Sequence, residues 1–288
     1  MAYIKGKGGV LIPVGGAEDR GEEEHPKLPF DEKGVLRHIL DEAKGKDSKV
    51  ILVTTASKIP TELKVHYGYG FGRLGCSNLR HYHITSKEQC SDQELLEDFR
   101  TADVIMFSGG NQSRIPKAMR NTELHKMLLS RYEEDGLVIA GTSAGAMAMS
   151  SKMIAGGSAP EAFLKGAVKM RKGLSFIPEV IIDTHFVRRG RFGRLAEAMA
   201  KYPDCIGIGL AEDTGAIISG GGEELRVIGS GMLIVMDPGT LTHNNHELLE
   251  DNTLMSMTGL TTHFLVNGDR FNFKTRATSV LPLEEEFI

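Results

Sequence analysis

Cysteine is scarce in this chain. Cys76, Cys90 and Cys205 are the only three, and no pair has C-x-x-C spacing. That excludes a disulfide framework or a zinc knuckle as the organising device and suits a reducing compartment. Long apolar runs are missing as well. No uninterrupted stretch approaches the roughly 18 residues of a membrane span. The opening MAYIKGKGGVLIPVGGAEDR lacks the apolar core of a secretory signal. An excess of basic charge is also absent. The 34 Lys and Arg against 38 Asp and Glu give a net charge of −4, so nothing draws the chain to nucleic acid or an anionic membrane. These absences predict a soluble, cytoplasmic protein whose partners are small molecules, peptides or other proteins.

What is present is glycine, at 34 of 288 residues, well above the usual ~7%. The glycines sit at the ends of apolar runs, where strand-to-helix turns need them. Val10–Val14, Val50–Thr54, Val104–Phe107 and Leu137–Ala140 are apolar on both faces, as buried parallel strands are. Between them, helical spacing predicts a helix over Glu32–Ala43. A second helix opens at Ser91, with Glu94 completing a capping box. Alternating strands and helices predict an α/β fold with a doubly wound, mostly parallel sheet. The second half changes character. After Val180–Asp183 and a helix from about Arg189 to Lys201 come Ile206–Leu210, Ala216–Ile218, Leu225–Ile228 and Met232–Met236. Their close spacing and glycine-rich turns predict antiparallel hairpins that extend the sheet or cover one edge. With no linker and no repeat, a single domain over residues 1–288 is expected. Glu22–Glu24 and Glu284–Glu286 read as solvated loops.

Gly141-Thr142-Ser143-Ala144-Gly145 is a G-x-S-x-G pentapeptide between an apolar strand and a helix start, the context of a nucleophile elbow. The turn lifts the Ser143 hydroxyl above the sheet, near the positive end of a helix, and places the Ala144 N–H to stabilise an oxyanion. The competing reading is a small-residue turn needed only for packing. Ser108-Gly109-Gly110-Asn111-Gln112 follows another strand, so it can face the same crevice at the strand ends. Gly110 is then a second oxyanion donor and Gln112 a substrate contact. Otherwise the segment is a plain turn with a helix cap.

A serine hydroxyl needs a base, and histidine is the usual one. Of ten histidines, His185 sits at the end of the apolar run Val180–Ile182, at a strand terminus. His81 and His83 flank Tyr82 on a strand and read as packing or solvated residues. His243 and His246 have H-x-x-H spacing without the acidic helical context of a metal site, so no metal is expected. Arg191 and Arg194, at i, i+3, share a helix face beside Arg188 and Arg189. They read as a carboxylate grip or as a solvated basic face. Glu212, at another strand end, can orient the His185 imidazole; the alternative is a hairpin turn capped by Asp213. Asp183 competes with Glu212 for that role. Lying two residues before His185, however, it projects in parallel and is awkwardly placed to meet Nδ1.

Taken in order, Ile12–Asp19 (IPVGGAED), Gly109–Gln112 (GGNQ), Gly141–Ala146 (GTSAGA), Asp183–Arg194 (DTHFVRRGRFGR) and Ala211–Thr214 (AEDT) resemble the cyanophycinase family of serine peptidases, relatives of aspartyl dipeptidase in the S51 group. The resemblance implies a class I glutamine-amidotransferase-like, flavodoxin-like fold, a homodimer, and a triad of Ser143, His185 and Glu212. It places Gln112, Asp183, Arg189, Arg191 and Arg194 around the substrate, with Thr184 where some members carry Gln. The implied substrate is cyanophycin, a polyaspartate with arginine on each β-carboxyl group, released as β-Asp-Arg dipeptides without metal or organic cofactor. Its guanidinium groups need acidic partners, for which Glu18-Asp19 and Glu22–Glu24 are candidates. The rivals are an aspartyl dipeptidase and a non-catalytic binding module of the same fold. A glutamine amidotransferase is disfavoured because the elbow holds serine, not a cysteine thiolate.

Overall fold

A computed structural model describes residues 8–157, 163–219 and 221–281. The tail Glu284–Glu286 lies outside them. Five strands run parallel in one sheet: β1 (Val10–Val14), β2 (Val50–Val53), β3 (Leu79–Tyr82), β4 (Val104–Phe107) and β5 (Val138–Thr142), in the order β1-β5-β4-β2-β3. Alternate residues feed two separate cores. Leu11, Ile51, Val53, Ile105, Phe107 and Ile139 pack on one face, and Val10, Ile12, Leu52, Met106 and Ala140 on the other. A period of two with both faces apolar is the signature of a sheet covered on both sides.

The helices between these strands depart from the expected bounds for local reasons. The Glu32–Ala43 segment is two helices, Phe30–Lys33 and Val35–Asp41, because Gly34 is extended between them. A β-carbon on Gly34 would lie 2.6 Å from the Phe30 carbonyl oxygen. The predicted cap at Ser91 moves one residue on. Ser91 ends a 3-10 turn, and Asp92 caps Gln93–Arg100 by accepting from the Leu95 N–H at 2.9 Å. Aspartate caps as well as serine, so sequence alone leaves the two nearly equal. A helix over Pro60–Arg73 was not expected. Gly68, Gly70 and Gly72 dilute its periodicity, and its one clear signal is proline at the first helical position.

The second half divides between two sheets. β10 (Thr214–Ser219) pairs antiparallel with β1, and β11 (Glu224–Gly229) pairs with β10. Arg270–Asn272 and Thr278–Ser279 continue the same edge, making nine strands. Here a hairpin extends the sheet as expected. A separate four-stranded sheet holds Thr261–Leu265, β12 (Leu233–Asp237), β9 (Ile206–Leu210) and β8 (Val180–Asp183). β8 and β9 are parallel because the helix Phe192–Lys201 connects them, and a helical crossover permits that pairing. Between β8 and β5 in the chain lies a third, two-stranded unit, β6 (Lys152–Gly156) with β7 (Lys169–Lys172).

The chain therefore leaves the small sheet at the end of β9 and enters the large one at β10 within three residues, Ala211–Asp213. That crossing is stitched by backbone hydrogen bonds. The N–H of Gly15 donates to Thr214, that of Asp213 to Gly16, and that of His185 to Gly15, at 2.8, 2.9 and 2.8 Å. The ends of β1, β5, β8 and β9 meet here.

Candidate active site

Ser143 follows β5 directly, with φ 50° and ψ −108°. Its N–H donates to the Val14 carbonyl at 2.9 Å, which ties the turn to β1. The two flanking glycines are required sterically. A β-carbon on Gly141 would lie 2.7 Å from the Gly145 carbonyl carbon, and one on Gly145 would lie 2.3 Å from the Phe107 carbonyl oxygen. The helix after the serine is one turn, Ala144–Met147. The helix-dipole contribution expected from the sequence is correspondingly small, and individual N–H groups matter more. Those of Ala144 and Gly110 donate to no backbone acceptor among the described residues. The Gly110 loop abuts the serine: a β-carbon on Gly109 would stand 3.5 Å from Ser143 Cβ. Gly110 has φ +139°, and a β-carbon there would lie 2.1 Å from the Ala56 carbonyl oxygen. Only glycine fits such a conformation in contact with backbone.

His185 stands two residues past β8, and its Nε2 is 3.0 Å from Ser143 Oγ. Its Nδ1 is 2.7 Å from Glu212 Oε1. Glu212 arrives from the sheet-to-sheet crossing, Ala211–Asp213. Arg188 Nη1 donates to both oxygens of that carboxylate, at 3.3 and 3.0 Å. Ala17, Ser143, His185 and Asp213 all have φ between 47° and 50°. Left-handed backbone at four non-glycine residues around one point is strain of the kind that collects at functional sites. Gly16 faces the imidazole, for a β-carbon on it would meet His185 Cε1 at 2.5 Å.

Burial pushes the His185 pKa below its ordinary value. The hydrogen bond to Glu212 and its charge oppose this, while the charges of Arg189 and Arg191 reinforce it. Burial acts to raise the Glu212 pKa, but the hydrogen bonds and charges of His185 and Arg188 outweigh it and hold it below the usual range. The resting arrangement is a neutral imidazole between a hydroxyl and a carboxylate. It is able to take the serine proton at Nε2.

The residues expected around the substrate are dispersed. Asp183 is fully buried and held by its own neighbours. Arg194 Nε donates to its Oδ2 at 2.8 Å, Arg194 Nη2 donates to Oδ1, and Arg191 Nη1 donates to Oδ1 at 3.2 Å. Arg191 and Arg194 do share a face, but what they grip is this internal carboxylate. Burial lowers the Arg191 pKa to about 10, against the pull of Asp183. Thr184 is also buried, its hydroxyl on Met147 Sδ at 3.4 Å. Gln112 Nε2 donates to the Ile154 carbonyl at 3.0 Å. Only Arg189 of the six lines the cleft of about 710 Å³ that opens on Ser143 and His185. The physical reason is that a carboxylate at a buried strand end satisfies guanidinium groups on the next helix before any ligand arrives. Elsewhere, His81 Nε2 and His83 Nδ1 meet the Thr54 hydroxyl at 2.8 and 3.2 Å. His246 is buried, and His243 Nε2 lies 2.9 Å from the Ser256 hydroxyl.

Several cleft residues escaped the sequence reading, and Glu18 entered it only as an acidic candidate for guanidinium groups. Glu18 is 4% exposed and lines the cleft; its carboxylate accepts from the Thr142 hydroxyl at 2.5 Å and from the Tyr67 hydroxyl. Tyr67 comes from the unexpected helix Pro60–Arg73. Glu22–Glu24 are exposed, and Glu22 meets His66 at 2.6 Å. The IPVGGAED block was the available signal for Gly16, yet no chemistry in it singles that glycine out.

A family model described as Peptidase family S51 matches residues 29–227, a span that includes Ser143, His185 and Glu212. The cyanophycinase of Trichormus variabilis is 34% identical over 274 residues, covering 94% of this chain and 87% of that protein. The cyanophycinase of Geminocystis herdmanii is 32% identical over 265 residues, 92% of this chain and 94% of its own. Among solved structures, a peptidase from an acI-B1 Actinobacterium superposes with a TM-score of 0.66 at 21% identity, covering 94% of this chain and all of its own; that likeness concerns the fold. The chain is a serine-type peptidase. It belongs to peptidase family S51.

Proposed function

We propose that this peptidase is a cyanophycinase that works through an acyl-enzyme on Ser143. The observation that carries the reading is the Ser143–His185–Glu212 relay, at 3.0 and 2.7 Å, in a chain whose curated relatives are named cyanophycinase. Ser143 Oγ attacks a backbone carbonyl of the polyaspartate while His185 Nε2 takes its proton. The N–H groups of Gly110 and Ala144 receive the oxyanion. Collapse of the tetrahedral intermediate breaks the C–N bond, and His185 returns the proton to the departing amine. Water, deprotonated by the same imidazole, then releases β-Asp-Arg and restores the serine. The test is to incubate the protein separately with cyanophycin, α-Asp-X dipeptides and glutamine, and to identify products by mass. Release of β-Asp-Arg is expected; cleavage of α-Asp dipeptides with cyanophycin intact would replace the reading with an aspartyl dipeptidase.

The pH profile follows from the imidazole. A base must be neutral, and the His185 pKa lies below 6.5. The acidic limb of kcat/KM, which reports the free enzyme, should therefore have its midpoint below 6.5 and be flat above it. Glu212 is what raises this pKa, so Glu212→Gln should move the limb further down. A wild-type limb centred above 6.5 would contradict the burial argument.

The same reading takes the fold as a class I glutamine-amidotransferase-like variant, the location as cytoplasmic, and the assembly as a homodimer. Light scattering that returned 31.4 kDa, the mass of one chain, would remove the dimer. No helix among the described residues is long and apolar enough to cross a membrane.

A further inference from the structure

With Arg191 and Arg194 committed to Asp183, the cations that face the cleft are different ones. Arg20, Lys58, Arg114 and Arg189 all line it, against one carboxylate, Glu18, whose two oxygens already accept hydroxyl hydrogen bonds. None of the four cations pairs with a carboxylate among the described residues. Elsewhere on the molecule the basic side chains of Arg37, Lys44, Lys49, Arg73, Arg100, Arg131, Arg188 and Arg270 do find one. Four cations without a carboxylate partner thus line the cleft that opens on the nucleophile candidate.

Two of them sit on a stiff support. Arg114 Nη1 donates to the Ser57 carbonyl at 3.1 Å, which fixes its guanidinium next to Lys58. The segments that carry them are bound to each other, since the Asn111 N–H donates to the Ala56 carbonyl at 2.9 Å. Gly110 packs against that same carbonyl. The Ser57 hydroxyl in turn accepts from the Ile59 N–H at 2.9 Å. A cation held on a rigid loop loses less freedom when a ligand arrives, which favours binding. One remaining guanidinium edge and one ammonium, both on the wall of one cleft and without a carboxylate partner among the described residues, suit a carboxylate.

We propose that Lys58 and Arg114 form a carboxylate-binding subsite, separate from Arg189, and that the cleft selects peptides carrying more than one free carboxylate. The assignment rests on the peptidase reading of the cleft and adds the part of the ligand that it recognises. Cyanophycin, with a free α-carboxylate on every arginine, belongs to this class.

The test uses binding, so that it does not depend on turnover. Tetra-aspartate is titrated by calorimetry into the full-length Ser143→Ala protein and into the same protein carrying Lys58→Gln and Arg114→Gln. Both added substitutions are at exposed positions and should leave the thermal melt unchanged. Each single substitution should weaken Kd about tenfold, and the double substitution at least that much. Tetra-aspartate with its side-chain carboxyls amidated should bind all proteins equally weakly. Equal Kd values for the parent and the double variant would overturn the proposal, as would failure of the parent protein to bind tetra-aspartate. An error in the substrate reading shows itself differently: the wild-type enzyme leaves cyanophycin intact while tetra-aspartate binding keeps its dependence on the two cations.

Discussion

Ser143→Ala is expected to remove about six orders of magnitude of turnover and to leave the fold unchanged. The hydroxyl is the one group of the turn positioned for attack, 3.0 Å from His185 Nε2, and alanine deletes it without altering the backbone. The position has φ 50°, which strains alanine and serine alike, so the substitution neither relieves nor adds conformational cost. The side chain is half-buried and donates no hydrogen bond that holds the fold together, which limits any change in stability to a few tenths of a kcal/mol. What remains after the loss is the oxyanion site and substrate binding, worth roughly 10³–10⁴ over water in triads of this kind. Initial rates on cyanophycin and a thermal melt check both halves of the expectation. A fluorophosphonate should add one label to the wild-type protein and none to the variant, read by intact mass. Turnover above about a hundredth of wild type would end the acyl-enzyme mechanism.

Glu212→Gln and Asp183→Asn should separate two carboxylates that the sequence places in competition. Glu212 accepts from His185 Nδ1 at 2.7 Å, which keeps the Nδ1–H tautomer and leaves Nε2 free to take the serine proton. Glutamine can present its NH2 to Nδ1 instead, moving the ring proton to Nε2, where it blocks that transfer. The expected loss is about 10⁴ in kcat with little change in KM. Arg188, which grips both oxygens of the carboxylate, gives the variant no new ionic partner. Asp183 reaches no cleft atom and is 0% exposed. Its removal would leave the buried guanidinium of Arg194, 4% exposed, without a counter-charge. Breaking a pair of this kind costs about 3–5 kcal/mol. Asp183→Asn should therefore lower the urea midpoint strongly, and the folded fraction should retain kcat within an order of magnitude. A stable Asp183→Asn protein with the 10⁴-fold kcat defect, beside an active Glu212→Gln, would transfer the relay position to Asp183.

What the sequence determined by itself is local. The G-x-S-x-G turn is legible because the two glycines answer contacts that lie within the motif or on the next strand. The strands β1, β2, β4 and β5 are legible because a covered sheet demands apolar residues on both faces. His185 stands out in the sequence because it follows an apolar run, and Glu212 because it stands at a strand end. Tertiary structure decided the rest. Whether β8 and β9 join the large sheet depends on which strand ends meet, and that is settled by packing between segments far apart in the chain. Gly16 became a site residue only once β1 and β8 met, since its missing β-carbon makes room for an imidazole 169 positions later. The arginines show the limit most clearly. Arg189, Arg191 and Arg194 are equivalent as a pattern, but burial of Asp183 takes the last two inward and leaves the first in the cleft. Lys58 and Arg114, 56 positions apart, line one cleft only because the Gly110 backbone rests on that of Ala56. Charge type is written in the residue, whereas the side chain it answers is chosen by the fold, because desolvation rewards the nearest buried partner before it rewards a ligand.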